Sequence, residues 1–108
     1  MKVLVIQQKM IGDVLTSTIL CENIKNNLPK SEVHYLINTH TKAVVENNPY
    51  IDKIVLFTPN FRKNKLAFYN FLKGIKKENY DVVIDVYGKI ESNLICFFSK
   101  YHPTKANT

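Results

Sequence analysis

Four short strand-like segments, each followed by a longer stretch with helical spacing, constrain this chain more than any other feature of its sequence. The segments occupy residues 2–6, 32–37, 53–57 and 81–86, and they include continuous apolar runs at residues 3–6, 54–57 and 82–84. Continuous apolar runs of this length are typical of strands that are buried on both faces of a parallel sheet. The helical patterns span about residues 12–28, 39–47, 63–78 and 91–99. This alternation predicts an α/β domain with helices on both faces of a parallel sheet.

Right-handed crossovers restrict how four such strands can be arranged. In a Rossmann-like, doubly wound sheet, the first three strands are laid outward and the fourth pairs with the free side of the first, which predicts the order 3-2-1-4. Ligands in such sheets bind outside the carboxyl ends of the strands, at the point where the order reverses. The loops after strands 1 and 4 should therefore face one crevice. The tail, residues 101–108, shows no pattern.

Length and composition indicate one ordinary globular domain. The chain has 108 residues, of which 45% are hydrophobic and 22% are charged. No apolar run approaches the ~18 residues of a membrane-spanning helix, and the first run is too short for a signal peptide. Cys21 and Cys96 have no partner at metal-ligand spacing, so we interpret both as small buried hydrophobic residues in a reducing compartment. These features predict a cytoplasmic protein.

The net charge of +6 leaves two interpretations open. A basic surplus favours acidic partners such as phosphorylated sugars, anionic lipid or nucleic acid. It also fits a lysine-rich composition without functional meaning. Arg62 is the only arginine, and no aromatic-basic motif indicates nucleic acid binding, so we expect no nucleic acid partner.

Asp13 and Gly12 lie where the first helix begins, beside the predicted crevice. A carboxylate at this place could accept a proton from a hydroxyl group, and the helix dipole would keep it ionised. The alternative is that Asp13 only caps the helix. Gly12 permits a tight turn and a close backbone approach, but the loop has neither a dinucleotide fingerprint nor a nucleotide triphosphatase phosphate loop.

Further candidate contacts follow the other strand ends. Lys9 follows strand 1, and Asp85 and Gly88 follow strand 4; for Asp85, a ligand contact and a loop hydrogen bond remain equally open. The basic cluster Arg62, Lys63 and Lys65 could attract phosphate or carboxylate groups, or could be the solvated face of a helix. The histidines His34, His40 and His102 are scattered and indicate no metal site.

Three stretches, in the same order along the chain, carry a resemblance to glycosyltransferase family 9, the lipopolysaccharide heptosyltransferases. They are MKVLVI followed by IGDVL at residues 1–15, NPYIDKI at residues 48–54, and YDVVID at residues 80–85 with Gly88 and Ser92 after it. The likeness extends over nearly the whole chain.

The resemblance implies a two-domain inverting enzyme of the GT-B architecture that needs no essential metal. Residues 1–108 would be its N-terminal, acceptor-binding Rossmann-like domain. The nucleotide-sugar donor, typically ADP-heptose, would bind a C-terminal domain that this chain lacks, so no cofactor is expected here. The acceptor would be a lipopolysaccharide core or a related anionic glycan. The family's proposed general base falls on Asp13, and its basic stretch after strand 3 is similar to Arg62, Lys63 and Lys65.

We therefore expect the acceptor half of a cytoplasmic glycosyltransferase, in peripheral contact with the inner membrane. The alternative is a non-catalytic α/β binding module of receiver-like or flavodoxin-like type. A receiver would have an acidic pair after strand 1, where Gln7 and Gln8 stand, and a phospho-accepting aspartate after strand 3, where Thr58 and Pro59 stand. A flavodoxin-like phosphate loop needs hydroxyl residues after strand 1, where this chain has Gln7, Gln8 and Lys9. Both comparisons disfavour the alternative.

Overall fold

The computed structural model describes residues 1–87 and 103–105, and its centre is a parallel sheet in the order β3-β2-β1-β4-β5. The predicted order 3-2-1-4 is therefore confirmed. The strands are β1 (Lys2–Ile6), β2 (Glu32–Asn38), β3 (Lys53–Phe57), β4 (Val82–Asp85) and β5 (Pro103–Lys105).

The fifth strand corrects the sequence prediction, which gave residues 101–108 no regular structure. Pro103, Thr104 and Lys105 pair with β4, from Val83 to Asp85. A strand of three residues without an apolar run is too short for its sequence to show a strand periodicity.

The position of β1 settles which doubly wound topology is present. β1 pairs with β2 on one side and with β4 on the other, so that Val3 lies beside both Val33 and Val82. Flavodoxin-like and receiver-like sheets instead have the order 2-1-3-4-5, in which strand 3 is next to strand 1. Here β3 is at the edge and contacts only β2 within the sheet. The alternative fold considered from the sequence is therefore wrong.

The helices differ from the prediction in two places. α1 (Ile11–Asn27) follows β1 as expected, but the helix predicted at residues 39–47 is a shorter 3-10 helix (Thr39–Val44) after β2. The single helix expected at residues 63–78 is two helices, α2 (Asn60–Lys63) and α3 (Lys65–Lys77). Asn64 separates them, because its backbone is extended and its side-chain oxygen accepts hydrogen bonds from the Leu66 and Ala67 N–H groups at 3.0 and 3.2 Å.

Two apolar clusters hold the helices against the sheet. On one face, Leu72 and Ile75 of α3 pack with Leu4, Ile6 and other strand residues. On the opposite face, Val14 and Cys21 of α1 pack with residues that include Val3, Val5 and Val33. Cys21 is fully buried, as predicted, and burial raises the pKa of its thiol to about 12. Cys96, His102 and the helix expected at residues 91–99 lie outside the described residues.

The apolar stripes that the helical spacing predicts are only partly buried; they comprise Val14, Leu15, Thr18, Ile19, Ile24 and Leu28 in α1 and Leu66, Tyr69, Leu72 and Ile75 in α3. Leu15 and Ile19 of α1 are 46% and 56% exposed, and Leu66 and Tyr69 of α3 are 68% and 49% exposed. None of the described helices is long and apolar enough to cross a membrane.

Candidate functional site

A cavity of about 450 Å³ opens at the carboxyl edge of the sheet, where β1 and β4 end side by side. The crevice predicted at the switch point is therefore present. Its walls come from the loop after β1, the first turn of α1, the start of the 3-10 helix and the residues after β4. The lining side chains are Gln8, Lys9, Met10, Asp13, His40 and Tyr87.

Buried amide side chains hold the β1–α1 loop in place. The Gln7 side-chain nitrogen donates to Ser17 Oγ of α1 at 3.1 Å, while Gln7 Oε1 accepts from the Lys9 N–H at 3.2 Å. Asn38, the last residue of β2, donates to the Gln8 carbonyl at 2.8 Å and accepts from Gln8 Nε2 at 3.3 Å. The loop is thereby fixed to both α1 and β2.

The buried side chain of Gln8 is only partly hydrogen-bonded. Its side chain is 3% exposed, and its Oε1 atom has no hydrogen-bond partner among the described residues. Buried polar atoms in proteins are nearly always paired, so this oxygen is a candidate acceptor for a hydroxyl group in the cavity. The sequence placed Gln8 beside the crevice but gave no reason to single it out.

Asp13 does not cap α1, contrary to the second of the two interpretations. The helix begins one turn earlier, with Met10 in the capping position, and no side chain makes a capping hydrogen bond there. Asp13 is exposed on the cavity wall. Its carboxylate has no hydrogen-bond or ion-pair partner within the part of the chain that the structure describes. It still lies in the first helical turn, where the helix dipole favours a negative charge.

Gly12 has no role in the packing of the domain. It lies in the first turn of α1, and a Cβ atom built on it would meet nothing within 4 Å. The tight turn that Gly12 would permit is not formed there, because α1 begins at Ile11 and Gly12 is already helical.

Asp85 is buried at the end of β4 and does not line the cavity. Its Oδ1 atom accepts a hydrogen bond from the Tyr87 N–H at 3.0 Å. This hydrogen bond agrees with the second interpretation of Asp85, as a residue that bonds its own loop. The bond holds the chain where it turns toward the cavity, and the Tyr87 ring forms part of the cavity wall. Gly88, the other candidate after β4, lies outside the described residues.

The basic cluster is separate from the cavity. Arg62 and Lys63 lie in α2 and Lys65 begins α3, and all three are exposed. The Arg62 guanidinium lies over the Phe57 ring, 5.0 Å from its centre. None of the three is among the residues that line the cavity.

His40 was missed by the sequence analysis. It follows β2 by two residues and lines the cavity. The usable signal was positional, because all parallel strands end at the same edge of a sheet and a polar residue just after β2 reaches the same crevice. Within residues 1–87 and 103–105, no three His, Cys, Asp or Glu side chains are grouped to hold a metal ion.

Comparison with known proteins supports the resemblance seen in the sequence. The chain is 26% identical over 95 residues to lipopolysaccharide heptosyltransferase 1 of Campylobacter coli, a match that covers 88% of this chain and 28% of that protein. No protein-family model matches the chain.

Two solved structures have the same fold over nearly all of this chain. A family 9 glycosyltransferase of Veillonella parvula superposes with a TM-score of 0.83 at 19% identity, covering 99% of this chain and 36% of that one. ADP-heptose lipopolysaccharide heptosyltransferase II of E. coli superposes with a TM-score of 0.81 at 17% identity, covering 97% and 30%.

The chain spans about a third of the length of the proteins that it matches. The resemblance predicted from the sequence is confirmed: over that third, the chain is similar to the lipopolysaccharide heptosyltransferases of glycosyltransferase family 9.

Proposed function

We propose that this chain is the N-terminal, acceptor-binding domain of an inverting glycosyltransferase. The enzyme would transfer a sugar, heptose from ADP-heptose, to a lipopolysaccharide core or a related anionic glycan. The donor would be held by a C-terminal domain that these 108 residues do not include. The isolated chain should therefore bind acceptor and should not transfer sugar.

The observation that carries this proposal is the state of Asp13. Asp13 lines the cavity at the switch point of the sheet, and its carboxylate makes no hydrogen bond or ion pair with another described residue. A carboxylate that stabilises a fold is normally engaged by a cap, a lysine or a backbone N–H group. Asp13, in the first turn of α1, is therefore available to accept a proton as a general base.

In the proposed reaction, an acceptor hydroxyl lies within hydrogen-bond reach of an Asp13 carboxylate oxygen. As the hydroxyl proton passes to that oxygen, the acceptor oxygen bonds to the anomeric carbon of the donor sugar. The bond between that carbon and the diphosphate oxygen breaks, and the nucleotide diphosphate leaves with the electron pair. Because attack occurs on the side opposite the leaving group, the configuration at the anomeric carbon is inverted.

The remaining cavity residues would orient the acceptor. Lys9 supplies a positive charge and Gln8 supplies a spare oxygen acceptor, so the wall can hold both an anionic group and a hydroxyl. Gly12 precedes Asp13 in the sequence and has no side chain, so the space around it is open. Arg62, Lys63 and Lys65 are the proposed contacts for more distant phosphate or carboxylate groups of the acceptor.

Asp13→Asn tests the proposal in the enzyme that contains both domains. An amide has nearly the same shape as the carboxylate but cannot accept the proton, so turnover should fall ~100-fold or more, while acceptor and donor binding change little. Turnover is measured at saturating substrate, and binding by calorimetry.

Asp52→Asn is the matched control, because it makes the same chemical change at the opposite edge of the sheet. It should leave the turnover of the folded enzyme within about 2-fold, since Asp52 is far from where the base acts. Near-normal turnover in Asp13→Asn would show that Asp13 is not the base.

A further inference from the structure

The positive charge of this chain is concentrated in one segment. Residues 60–77, which form α2 and α3, contain six basic and no acidic residues. The other 90 residues contain nine basic and nine acidic residues, so the net charge of +6 belongs to this segment. A composition that was lysine-rich throughout would have spread the surplus over the chain. The segregation therefore favours the functional interpretation of the charge.

The outer surface of α3 combines this charge with exposed apolar groups. Leu66, Tyr69, Lys73 and Lys77 recur at helical spacing on the side of α3 that faces away from the sheet; we call this set the α3 outer face. The opposite side is the one that packs on the sheet through Leu72 and Ile75. Lys73 Nζ lies 5.5 Å from the centre of the Tyr69 ring.

The lysines of α3 are not neutralised by neighbouring acids. Among the described residues, no ion pair includes Lys65, Lys73, Lys76 or Lys77. Glu78, the nearest acidic residue in sequence, is already engaged by Lys2 at 2.7 Å and by Lys53 at 3.7 Å. Their charge is therefore available to an external partner.

We propose that the α3 outer face docks on an anionic phospholipid surface. α3 carries four lysines, of which Lys73 and Lys77 lie on its outer face, and clusters of four to eight basic residues on a helix are attracted to acidic lipid head groups. The exposed leucine and tyrosine add an apolar interaction to the electrostatic one. The leucine side chain can enter the boundary of the acyl chains, and the tyrosine ring can lie at head-group depth. A nucleic acid backbone would use the lysines but would gain nothing from Leu66.

The position of α3 gives this docking a consequence for the cavity. α2 and α3 follow the carboxyl end of β3, so the first turn of α3 lies at the same edge of the sheet as the cavity. Docking of the α3 outer face would keep that edge beside the lipid surface. This would suit an acceptor that is anchored in the bilayer, a point that rests on the proposed function, whereas the docking itself does not.

The test measures sedimentation of the 108-residue chain with vesicles in the absence of any sugar substrate. Vesicles of phosphatidylcholine with about one third phosphatidylglycerol should bind the chain, and pure phosphatidylcholine vesicles should not; binding should weaken as salt rises. Lys73→Gln with Lys77→Gln should weaken binding about 10-fold. Leu66→Ser with Tyr69→Ser should also weaken it at unchanged charge.

Lys30→Gln with Lys42→Gln is the matched control, since it removes two exposed lysines outside α3. This control should change binding less than about 2-fold. Equal losses in the two lysine pairs would overturn the proposal, because net charge alone would then explain binding. Failure to bind anionic vesicles, or tighter binding to a DNA duplex through the same lysines, would overturn it as well. Since the assay contains neither donor nor acceptor, its result is independent of Asp13.

Discussion

Among the described residues, the ion pairs lie at one edge of the sheet and the cavity lies at the other. At the amino edge, charges are paired: the structure describes ion pairs between Lys2 and Glu78, Lys53 and Glu78, Lys25 and Asp52, and His34 and Glu32. At the carboxyl edge, where the cavity lies, none of the described ion pairs is found. The β1–α1 loop there is held by neutral amides, and the carboxylate of Asp13 is left without a described partner.

The amino edge also contains a buried histidine that is hydrogen-bonded on both sides. His34 is 1% exposed and lies between two partners: its Nδ1 atom is 2.7 Å from the Tyr80 hydroxyl, and its Nε2 atom contacts the Glu32 carboxylate. Asp81 accepts from the backbone N–H of Lys2 at 2.7 Å, which ties the start of β1 to the start of β4. Polar groups at this edge therefore satisfy each other and stabilise the strand ends.

This difference indicates where a ligand can bind. Side chains that already form hydrogen bonds or ion pairs would have to break them to bind a ligand. Asp13 and the Gln8 side-chain oxygen could bind a ligand without breaking any described hydrogen bond or ion pair. Substitutions at the amino edge should therefore reduce stability, and equivalent substitutions at the carboxyl edge should affect ligand binding or turnover instead.

The largest difference in stability is expected between two tyrosines. Tyr80→Phe removes the hydroxyl group that pairs with His34 and leaves a buried ring nitrogen without its partner, which should cost about 2 kcal/mol of unfolding free energy. Burial also raises the pKa of the Tyr80 hydroxyl, as expected for a group held away from water. The measurement is urea denaturation at pH 7, followed by circular dichroism.

Tyr87→Phe is the matched change at the carboxyl edge. The Tyr87 hydroxyl has no described partner, and its ring is half-buried on the cavity wall, so stability should change by less than about 0.5 kcal/mol. If both variants lost the same stability, the contrast between the two edges would be unsupported.

A smaller difference is expected between two aspartates. Asp52 Oδ2 accepts from Lys25 Nζ and from the Val33 N–H, each at 2.7 Å. Desolvation raises the pKa of Asp52, but these two hydrogen bonds outweigh it, so the pKa is lower than usual. Asp52→Asn should cost about 1.5 kcal/mol, a modest value because the carboxylate is 36% exposed and screened by solvent. Asp13→Asn should cost only about 0.5 kcal/mol, the usual size of an interaction with the helix dipole.

The pH dependence gives this comparison a second measurement. A lowered pKa in the folded state means that ionised Asp52 stabilises the fold above its unfolded pKa, and that this stability is lost as the pH falls through the folded value. The wild-type chain should therefore exceed Asp52→Asn in stability at pH 7 and approach it below about pH 4. A difference that stayed constant down to pH 3 would argue against the ion pair.

The sheet could be predicted from the sequence because the local sequence of each of the first four strands indicates a buried strand. The segments around Val3, Val33 and Val83 are rich in apolar residues because both faces of the sheet are covered, and chirality leaves few ways to connect them. The crevice followed from topology, and Lys9 and Asp13 were placed in it correctly.

One error comes from a feature that depends on distant parts of the chain. Leu66 and Tyr69 fit a helical stripe as well as Phe68 and Phe71 do, and only the contact with the sheet shows which set is buried. The other error is local, because the Asn64 side chain caps α3 and divides a helical pattern that looks continuous in the sequence.

The candidate site was harder to predict than the sheet because its residues come from separate strand ends. The pairing of Gln8 with Asn38, 30 positions apart in sequence, has no local signature. His40 reaches the cavity only because β2 ends beside β1.

The smallest effect on stability is expected at Gly12, where its sign is informative. Gly12 is helical and open to solvent, so an alanine there has room and should raise the unfolding free energy by about 0.5 kcal/mol through its higher helix propensity. Gly74→Ala in α3 is the matched control, because a Cβ atom there also meets nothing within 4 Å. Both variants should be slightly more stable than the wild-type chain in urea denaturation.

Acceptor binding should separate the two glycines. If the acceptor approaches the first turn of α1, the methyl group of Gly12→Ala displaces it from Asp13 and should lower the turnover of the two-domain enzyme about 10-fold, since small misplacements of reacting groups are costly. Gly74→Ala should leave turnover unchanged, because α3 packs on the opposite face of the sheet from α1. A glycine whose replacement stabilises the domain and impairs turnover is retained for the ligand and not for the fold. Equal turnover in the two variants would instead place the acceptor away from Gly12.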